Sequence, residues 1–146
     1  MVRMGTTAKI VSRPDMSTKR KQAIFSATVS AGFPSPAADY EEGKLDLNRH
    51  LIKNPPATFF VRATGDSMVG AGIHSGDLLI VDRSLEPKNN NVIIAALNGE
   101  LTVKRIRIRG KKISLVPEND NYSAQKIEGG MEFEVWGVVT NVIHSL

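Results

Sequence analysis

The sequence predicts a mostly β domain preceded by a basic N-terminal arm. Short segments rich in β-branched and aromatic residues recur along the chain from residue 58 onwards. An Asn98-Gly99 pair between two apolar segments indicates a β-hairpin, because both residues tolerate the positive φ of a type I′ turn. The first 31 residues contain few large apolar side chains and no sustained helical period, so they are not expected to pack alone.

About six or seven strands are expected from the residue pattern along the chain. The clearest segments are 58–63, 78–81, 92–97, 100–108, 113–116 and 133–139. A brief helix is expected within 46–53, where Asp46 is suited to cap the first turn. Two prolines within 32–36 force an extended or turning backbone. We therefore place the boundary between a flexible arm, 1–31, and a β-rich domain, 32–146, at this point.

Composition limits the classes of function that are open to the chain. Its 146 residues are 41% hydrophobic and 23% charged, which is typical of a soluble globular domain. The absence of cysteine excludes disulfides, thiolate metal sites and a cysteine nucleophile. The three histidines show no metal-ligand spacing, and no cofactor is expected. With neither a membrane-spanning run nor a signal peptide in the sequence, a cytoplasmic location is expected.

The positive charge of the chain is concentrated in the arm. Six lysines and arginines against one aspartate give residues 1–31 a net charge of +5, whereas the whole chain carries +4. Such an arm is either solvated and disordered or in contact with nucleic acid or an acidic partner. The first interpretation is favoured, because no aromatic residue interrupts the basic run 19–21 to stack on a base.

Lys104 is the first candidate functional residue, because its position in the expected strand 100–108 directs it toward the core. Strand side chains alternate, so Lys104 shares a face with two isoleucines, whereas three arginines occupy the other, wet face. A lysine kept from water has a lowered pKa and can act as a neutral general base. The alternatives are a lysine that snorkels at the sheet edge, or a bulge near Val103 that turns it outward.

Ser67 is the second candidate, because it follows the expected strand 58–63 at a sharp turn. Gly65 permits unusual backbone dihedrals there, and consecutive amides at such a turn can form an oxyanion hole. The alternative is a capped turn with a solvated serine. A serine nucleophile needs a base, and because no His–Asp arrangement is visible, a lysine is the remaining choice.

Four blocks of sequence that include these candidates resemble the UmuD/LexA family of self-cleaving serine-lysine peptidases. The blocks are 32–40, 65–68, 76–82 and 102–104, and they occur in the order that the family shows. The resemblance extends from about residue 30 to residue 142. It implies a compact β-rich peptidase domain with a hairpin-built sheet, in which a Ser-Lys dyad cleaves an internal Ala-Gly or Cys-Gly bond.

The resemblance implies specific roles for residues of this chain. Ser67 would be the nucleophile, Lys104 its base, and Ala31 and Gly32 the two residues of the cleaved bond. We expect the amides of Asp66 and Ser67 to form the oxyanion hole. Cleavage at this bond would remove the arm 1–31.

The resemblance also implies a biological setting. Family members of this kind are accessory subunits of an error-prone translesion polymerase in the SOS response to DNA damage. The expected partners are a second copy of the chain in a homodimer, a UmuC-like polymerase, and the RecA filament on single-stranded DNA that triggers cleavage. Residues 1–21 align with nothing in the family, so direct contact of the arm with DNA stays open.

Three alternatives remain at the level of the sequence. A non-catalytic module would dock on a polymerase or other partner while Ser67 stays inert. A processing enzyme of the signal-peptidase type would need a membrane anchor, which the sequence does not contain. A LexA-like repressor fragment would lack the helical DNA-reading domain.

Overall fold

The computed structural model describes residues 5–17, 19, 21–25 and 41–146. Ala31 and Gly32 lie outside these residues, so the predicted cleavage site and the boundary between 1–31 and 32–146 stay predictions. The chain divides into two compact units, a larger one from Met1–Pro14 and Asn54–Leu146 and a smaller one from Asp15–Lys53.

The smaller unit contains a two-stranded antiparallel sheet and one short helix. Its elements are β2 (Lys21–Phe25), β3 (Glu41–Asp46) and α1 (Leu47–Leu51). The Asp46 carboxylate accepts hydrogen bonds from the amides of Asn48 and Arg49, which confirms the predicted helix and its cap. In the part of the chain that the structure describes, no helix is long and apolar enough to cross a bilayer.

The larger unit is built on an eight-stranded antiparallel sheet. Its strands are β1 (Thr7–Ser12), β4 (Thr58–Thr64), β5 (Leu78–Asp82), β6 (Val92–Leu97), β7 (Glu100–Arg109), β8 (Lys112–Val116), β9 (Gln125–Lys126) and β10 (Phe133–Ile143). The mostly β class and all six predicted strand segments are confirmed, although β10 runs further than predicted. Asn98 and Gly99 join β6 to β7 with positive φ at both residues, as the hairpin prediction requires.

Six of these strands close into a barrel-like sheet, and β1 is the strand that completes the closure. The order around the sheet is β1, β4, β5, β10, β6 and β7, and β7 returns to β1 at the Thr7–Thr102 pair. β8 and β9 extend the sheet beyond β7. The first strand therefore lies between β4, which leads into Ser67, and β7, which carries Lys104.

β1 corrects the expectation of a flexible arm for its own residues. Thr7–Ser12 pair with β4 from the Thr7–Thr64 pair to the Ser12–Phe60 pair. The free edge of β4 and the first half of β7 offer backbone donors and acceptors, and an extended segment satisfies these groups with little help from its side chains. Periodicity does not reveal such a strand, because its last four residues are all exposed.

Two buried apolar clusters cover the two faces of the sheet. The first contains Val61, Ala63, Met68, Ile73, Leu79, Val81, Ile94 and Val103, and the second contains Ile93, Ala95, Ile106, Leu115 and Val138. Neighbours in β6 belong to different clusters because side chains alternate along a strand. The face of β7 that carries the arginines was expected to be exposed to solvent. This expectation needs correction, because Val103 on that face is fully buried.

Candidate active site

Ser67 lies in a turn directly after β4 and is fully buried. Gly65 has a φ of 107°, so the unusual backbone expected at this glycine is confirmed. A Cβ placed on Gly65 would lie 3.1 Å from both the Gly5 carbonyl oxygen and the Thr6 Cα. The turn therefore requires glycine for two reasons, its left-handed conformation and the close approach of the segment that leads into β1.

The backbone of Ser67 and of the residues after it is bound to Glu118. The Glu118 amide donates to the Ser67 carbonyl at 2.8 Å, and the Gly70 amide donates to the Glu118 carbonyl at 2.7 Å. The Glu118 carboxylate in turn pairs with the Arg105 guanidinium at 2.5 Å. Because Arg105 follows Lys104 in β7, this chain of contacts connects the turn to the strand that carries the candidate base.

Two side chains of the loop after β8 also bind the turn, at Asp66. The Asn119 amide nitrogen donates to the Asp66 carbonyl at 2.8 Å, and the Tyr122 hydroxyl donates to the Asp66 carboxylate. These positioning residues were not predicted, because no pattern in the sequence connects them with a turn that precedes them by more than 50 positions. The turn that holds Ser67 is therefore fixed by long-range contacts.

Lys104 reaches Ser67 across the sheet. Its Nζ lies 3.0 Å from Ser67 Oγ, 3.3 Å from Thr102 Oγ1 and 3.2 Å from the Val103 carbonyl oxygen. The side chain is half-buried, and this burial lowers the pKa of Lys104 to about 8. The amine therefore has a substantial neutral fraction at mildly alkaline pH, as a general base requires.

The structure thus brings together the two candidates that lie 37 positions apart in the sequence. The β6–β7 pairing runs in continuous register from Val92–Arg105 to Leu97–Glu100. No bulge therefore interrupts this part of β7, and the alternative in which Lys104 rotates outward does not apply. The Nζ contacts also oppose the snorkelling alternative, since the amine points at Ser67 and at strand β7 itself.

Thr6 is a third residue at this pair, and it was not predicted from the sequence. It is fully buried, and its amide donates to Ser67 Oγ at 2.8 Å. Its own Oγ1 accepts from the Ser67 amide at 3.0 Å and from the Ser67 hydroxyl at 2.8 Å. Its carbonyl accepts from the Val103 amide at 2.9 Å and from the Thr102 hydroxyl at 2.8 Å.

The amides expected to form an oxyanion hole, those of Asp66 and Ser67, are consecutive in this turn. The Ser67 amide is engaged by the Thr6 hydroxyl. A cleft of about 400 Å³ opens beside Lys104 and is bordered by Gly5 and Tyr122. Among the described residues, no group of three or more His, Asp or Glu side chains is arranged to hold a metal ion.

Comparison with known proteins places the chain in a family. Residues 23–140 match the family described as Peptidase S24-like. Protein SamA of Salmonella typhimurium is 49% identical over 121 residues, which are 83% of this chain and 84% of SamA. Protein MucA of Escherichia coli is 43% identical over 119 residues, which are 81% of this chain and 79% of MucA.

A third relative is the LexA repressor of Bordetella petrii. It is 35% identical over 117 residues, which are 80% of this chain and 52% of that repressor. The chain belongs to the Peptidase S24-like family, a family of serine peptidases. This membership confirms the resemblance inferred from the four sequence blocks, together with the compact β-rich domain that it implied.

Proposed function

We propose that this chain cleaves itself once between Ala31 and Gly32, with Ser67 as the nucleophile and Lys104 as the base. The observation that carries the proposal is the 3.0 Å distance from Lys104 Nζ to Ser67 Oγ. Burial that lowers the pKa of Lys104 to about 8 supports the role of base, because the neutral amine can accept a proton. Membership of a serine peptidase family supports the same reaction.

The reaction begins when neutral Lys104 takes the proton of the Ser67 hydroxyl and Oγ bonds to the Ala31 carbonyl carbon. The amides of Asp66 and Ser67 stabilise the negative charge that develops on the carbonyl oxygen. The bond from this carbon to the Gly32 nitrogen then breaks, and the lysine ammonium gives its proton to the leaving amine. Water hydrolyses the resulting ester between Ser67 and Ala31 and restores the serine.

The substrate of this reaction is a segment of the same chain or of a second copy in the homodimer. A tethered segment reaches the nucleophile at a high effective concentration, so tight binding is not required. Each chain is cut once, and the rate depends on how often the segment that contains Ala31 lies against Ser67. A partner that shifts this population controls the reaction without taking part in the chemistry.

The proposal extends to the biological setting. The trimmed product 32–146 acts as a homodimer and joins a UmuC-like translesion polymerase in the SOS response, and a RecA filament on single-stranded DNA promotes the cleavage. The resemblance of residues 30–142 to polymerase accessory subunits supports this setting. So does the similarity to SamA, MucA and the LexA repressor along about four-fifths of this chain.

The test is incubation of the purified full chain at about pH 9, where most of the lysine is neutral, followed by mass spectrometry. We expect two fragments, 1–31 and 32–146, that increase with time and form faster when a RecA filament is added. Ser67→Ala and Lys104→Ala should each stay at full length. Their matched controls, Ser145→Ala and Lys111→Ala, change exposed residues and should be cut at the unaltered rate.

Two results would contradict the proposal. Release of a normal fragment that begins at Gly32 from either dyad variant would show that the dyad is not the catalyst. An unaltered chain that remains whole at alkaline pH and with the RecA filament would instead favour the non-catalytic binding module.

A further inference from the structure

The residues that lead into β1 lie directly against the candidate dyad. A Cβ placed on Gly5 would lie 2.6 Å from Lys104 Nζ and 3.7 Å from Ser67 Oγ. Thr6, the next residue, is fully buried beside the same serine. Gly5 and Thr6 therefore occupy the space through which another segment would have to approach the nucleophile.

The hydrogen bonds of Ser67 and Lys104 do not suit the transfer of a proton from the serine to the lysine. Ser67 Oγ lies 2.8 Å from Thr6 Oγ1, so the Ser67 hydroxyl has a hydrogen-bond partner other than Lys104. The lysine Nζ faces three acceptors, which are Ser67 Oγ, Thr102 Oγ1 and the Val103 carbonyl oxygen. This arrangement suits an ammonium that donates, whereas the proposed reaction needs a neutral amine that accepts.

The peptide bond between Gly5 and Thr6 is not bound as a substrate. The Ser67 amide, which would have to hold a substrate carbonyl oxygen, donates instead to the Thr6 side chain. The Gly5 carbonyl oxygen lies toward Gly65, where it would be 3.1 Å from a Cβ at that position. The segment consequently covers the serine in a geometry that does not lead to its own cleavage.

β1 also fills the strand position between β4 and β7, beside Ser67. It pairs with β4 along the strand and meets β7 at the Thr7–Thr102 pair. An incoming extended segment must satisfy the same backbone groups, including the Val103 amide that now binds the Thr6 carbonyl. Two strands cannot pair with the same edges at once, so a segment around Ala31 that docked by this pairing would have to displace β1.

Little apolar burial holds β1 in this position. Ile10 and Val11, its two largest apolar side chains, are 43% and 48% exposed. Ala8 is its contribution to the first apolar cluster. Because backbone hydrogen bonds provide most of its attachment, β1 can detach locally with little loss of buried apolar surface.

We infer that β1 is an autoinhibitory strand, which seals Ser67 and Lys104 with Gly5 and Thr6 until it leaves its position between β4 and β7. The inference rests on the proposed self-cleavage and states what restrains it. Release of β1 frees the Ser67 amide and hydroxyl together and opens the position that the segment around Ala31 then takes. A factor that accelerates cleavage therefore acts by favouring the detached β1.

A reversible covalent clamp tests this inference in the full chain. Lys9 and Arg62 are exposed partners in the β1–β4 pairing, and residues directly opposite in an antiparallel pair are close enough for a disulfide. The chain has no cysteine, so Lys9→Cys with Arg62→Cys introduces a single crosslink on oxidation. We expect self-cleavage to be at least about tenfold slower in the oxidised form than after reduction, because the clamp keeps β1 paired.

A matched control places the same crosslink where it should not matter. Arg109 and Lys112 are exposed partners in the β7–β8 pairing, away from β1. The variant Arg109→Cys with Lys112→Cys should be cleaved at equal rates when oxidised and when reduced. Equal rates in both forms of the β1–β4 clamp would overturn the inference and leave the proposed self-cleavage in place. If the unaltered chain and both reduced variants stayed whole, self-cleavage would be refuted, and the inference with it.

A single substitution tests the seal without a crosslink. Thr6→Val keeps the shape of the side chain but removes the hydroxyl that accepts the two hydrogen bonds of Ser67. We expect roughly fivefold faster cleavage, because the sealed state loses contacts that the open state does not use. Thr7→Val, the same change one position along the strand, is the control. A Thr6→Val chain that is cut no faster than this control would contradict the seal.

Discussion

The Ser67 turn and β1 meet at the same point of the molecule, but they are held there in different ways. Backbone hydrogen bonds to Glu118 fix the turn, and the fully buried Met68 anchors it in the first apolar cluster. β1 depends mainly on backbone pairing and leaves its largest apolar side chains exposed. The candidate nucleophile is therefore rigid, whereas the strand that covers it can be exchanged.

This difference suits a chain that is cut only once. A serine that waits for its substrate keeps its geometry if its supports are buried and independent of the cover. The cover must detach at a low cost in free energy, or the substrate segment never reaches the serine. Substitutions in the two regions should consequently have different effects.

The largest expected difference is in the free energy of unfolding. Met68→Ala removes a fully buried side chain next to the nucleophile and should lower this free energy by about 2–5 kcal/mol. Ile10→Ala in β1 should cost less than about 1 kcal/mol, since that side chain is already 43% exposed. Chemical denaturation followed by the fluorescence of Trp136 measures both. Equal losses would mean that β1 is as firmly anchored as the turn.

Substitution of Gly70, which binds Glu118 beside the Ser67 turn, should have the next largest effect on stability. A Cβ on Gly70 would lie 2.7 Å from the Glu118 carbonyl oxygen, whereas one on Gly129 would meet no atom within 4 Å. Gly70→Ala should therefore destabilise the fold by about 1–3 kcal/mol and slow self-cleavage, because the backbone that holds Ser67 must shift. Gly129→Ala should leave stability and cleavage unchanged. A neutral Gly70→Ala would show that the turn tolerates movement.

The pH dependence of cleavage should change the rate by about tenfold. Burial lowers the pKa of Lys104 to about 8, so the neutral fraction rises from about one-tenth near pH 7 to about nine-tenths near pH 9. The initial rate should rise over this interval and level off above it, and Lys111→Ala should show the same profile. A flat profile from neutral to alkaline pH would argue against Lys104 as the base.

Local pattern was sufficient for much of this molecule. The strands from β4 to β8 and β10 follow from β-branched and aromatic segments bounded by turn residues. Asp46 as the helix cap and Asn98-Gly99 as the hairpin turn follow from the chemistry of single side chains. Alternation along β7 directed Lys104 away from its arginine neighbours, and this orientation is the one that leads its amine to Ser67.

Such local patterns did not predict which distant segments contact one another. β1 carries no alternating apolar face, since the edge of β4 and the first half of β7 supply the backbone partners that make it a strand. For the same reason, Glu118, Asn119 and Tyr122 were not recognised as supports of the Ser67 turn. The arginine face of β7 was expected to be exposed, but Val103 on that face is fully buried, because alternation says which residues share a face and not what covers it.

The sequence by itself therefore determined the β-rich class and most strand positions, because each depends on neighbours within a few positions. Local pattern also made Ser67 and Lys104 candidates, and the family resemblance supplied their expected roles. Only the tertiary structure decided how far Lys104 is buried from solvent, what supports the Ser67 turn, and that Thr6 covers the serine. Those properties arise from contacts between segments far apart in the chain, such as the 61 positions from Thr6 to Ser67. Closure of the sheet creates these contacts, and they exist only in the folded chain.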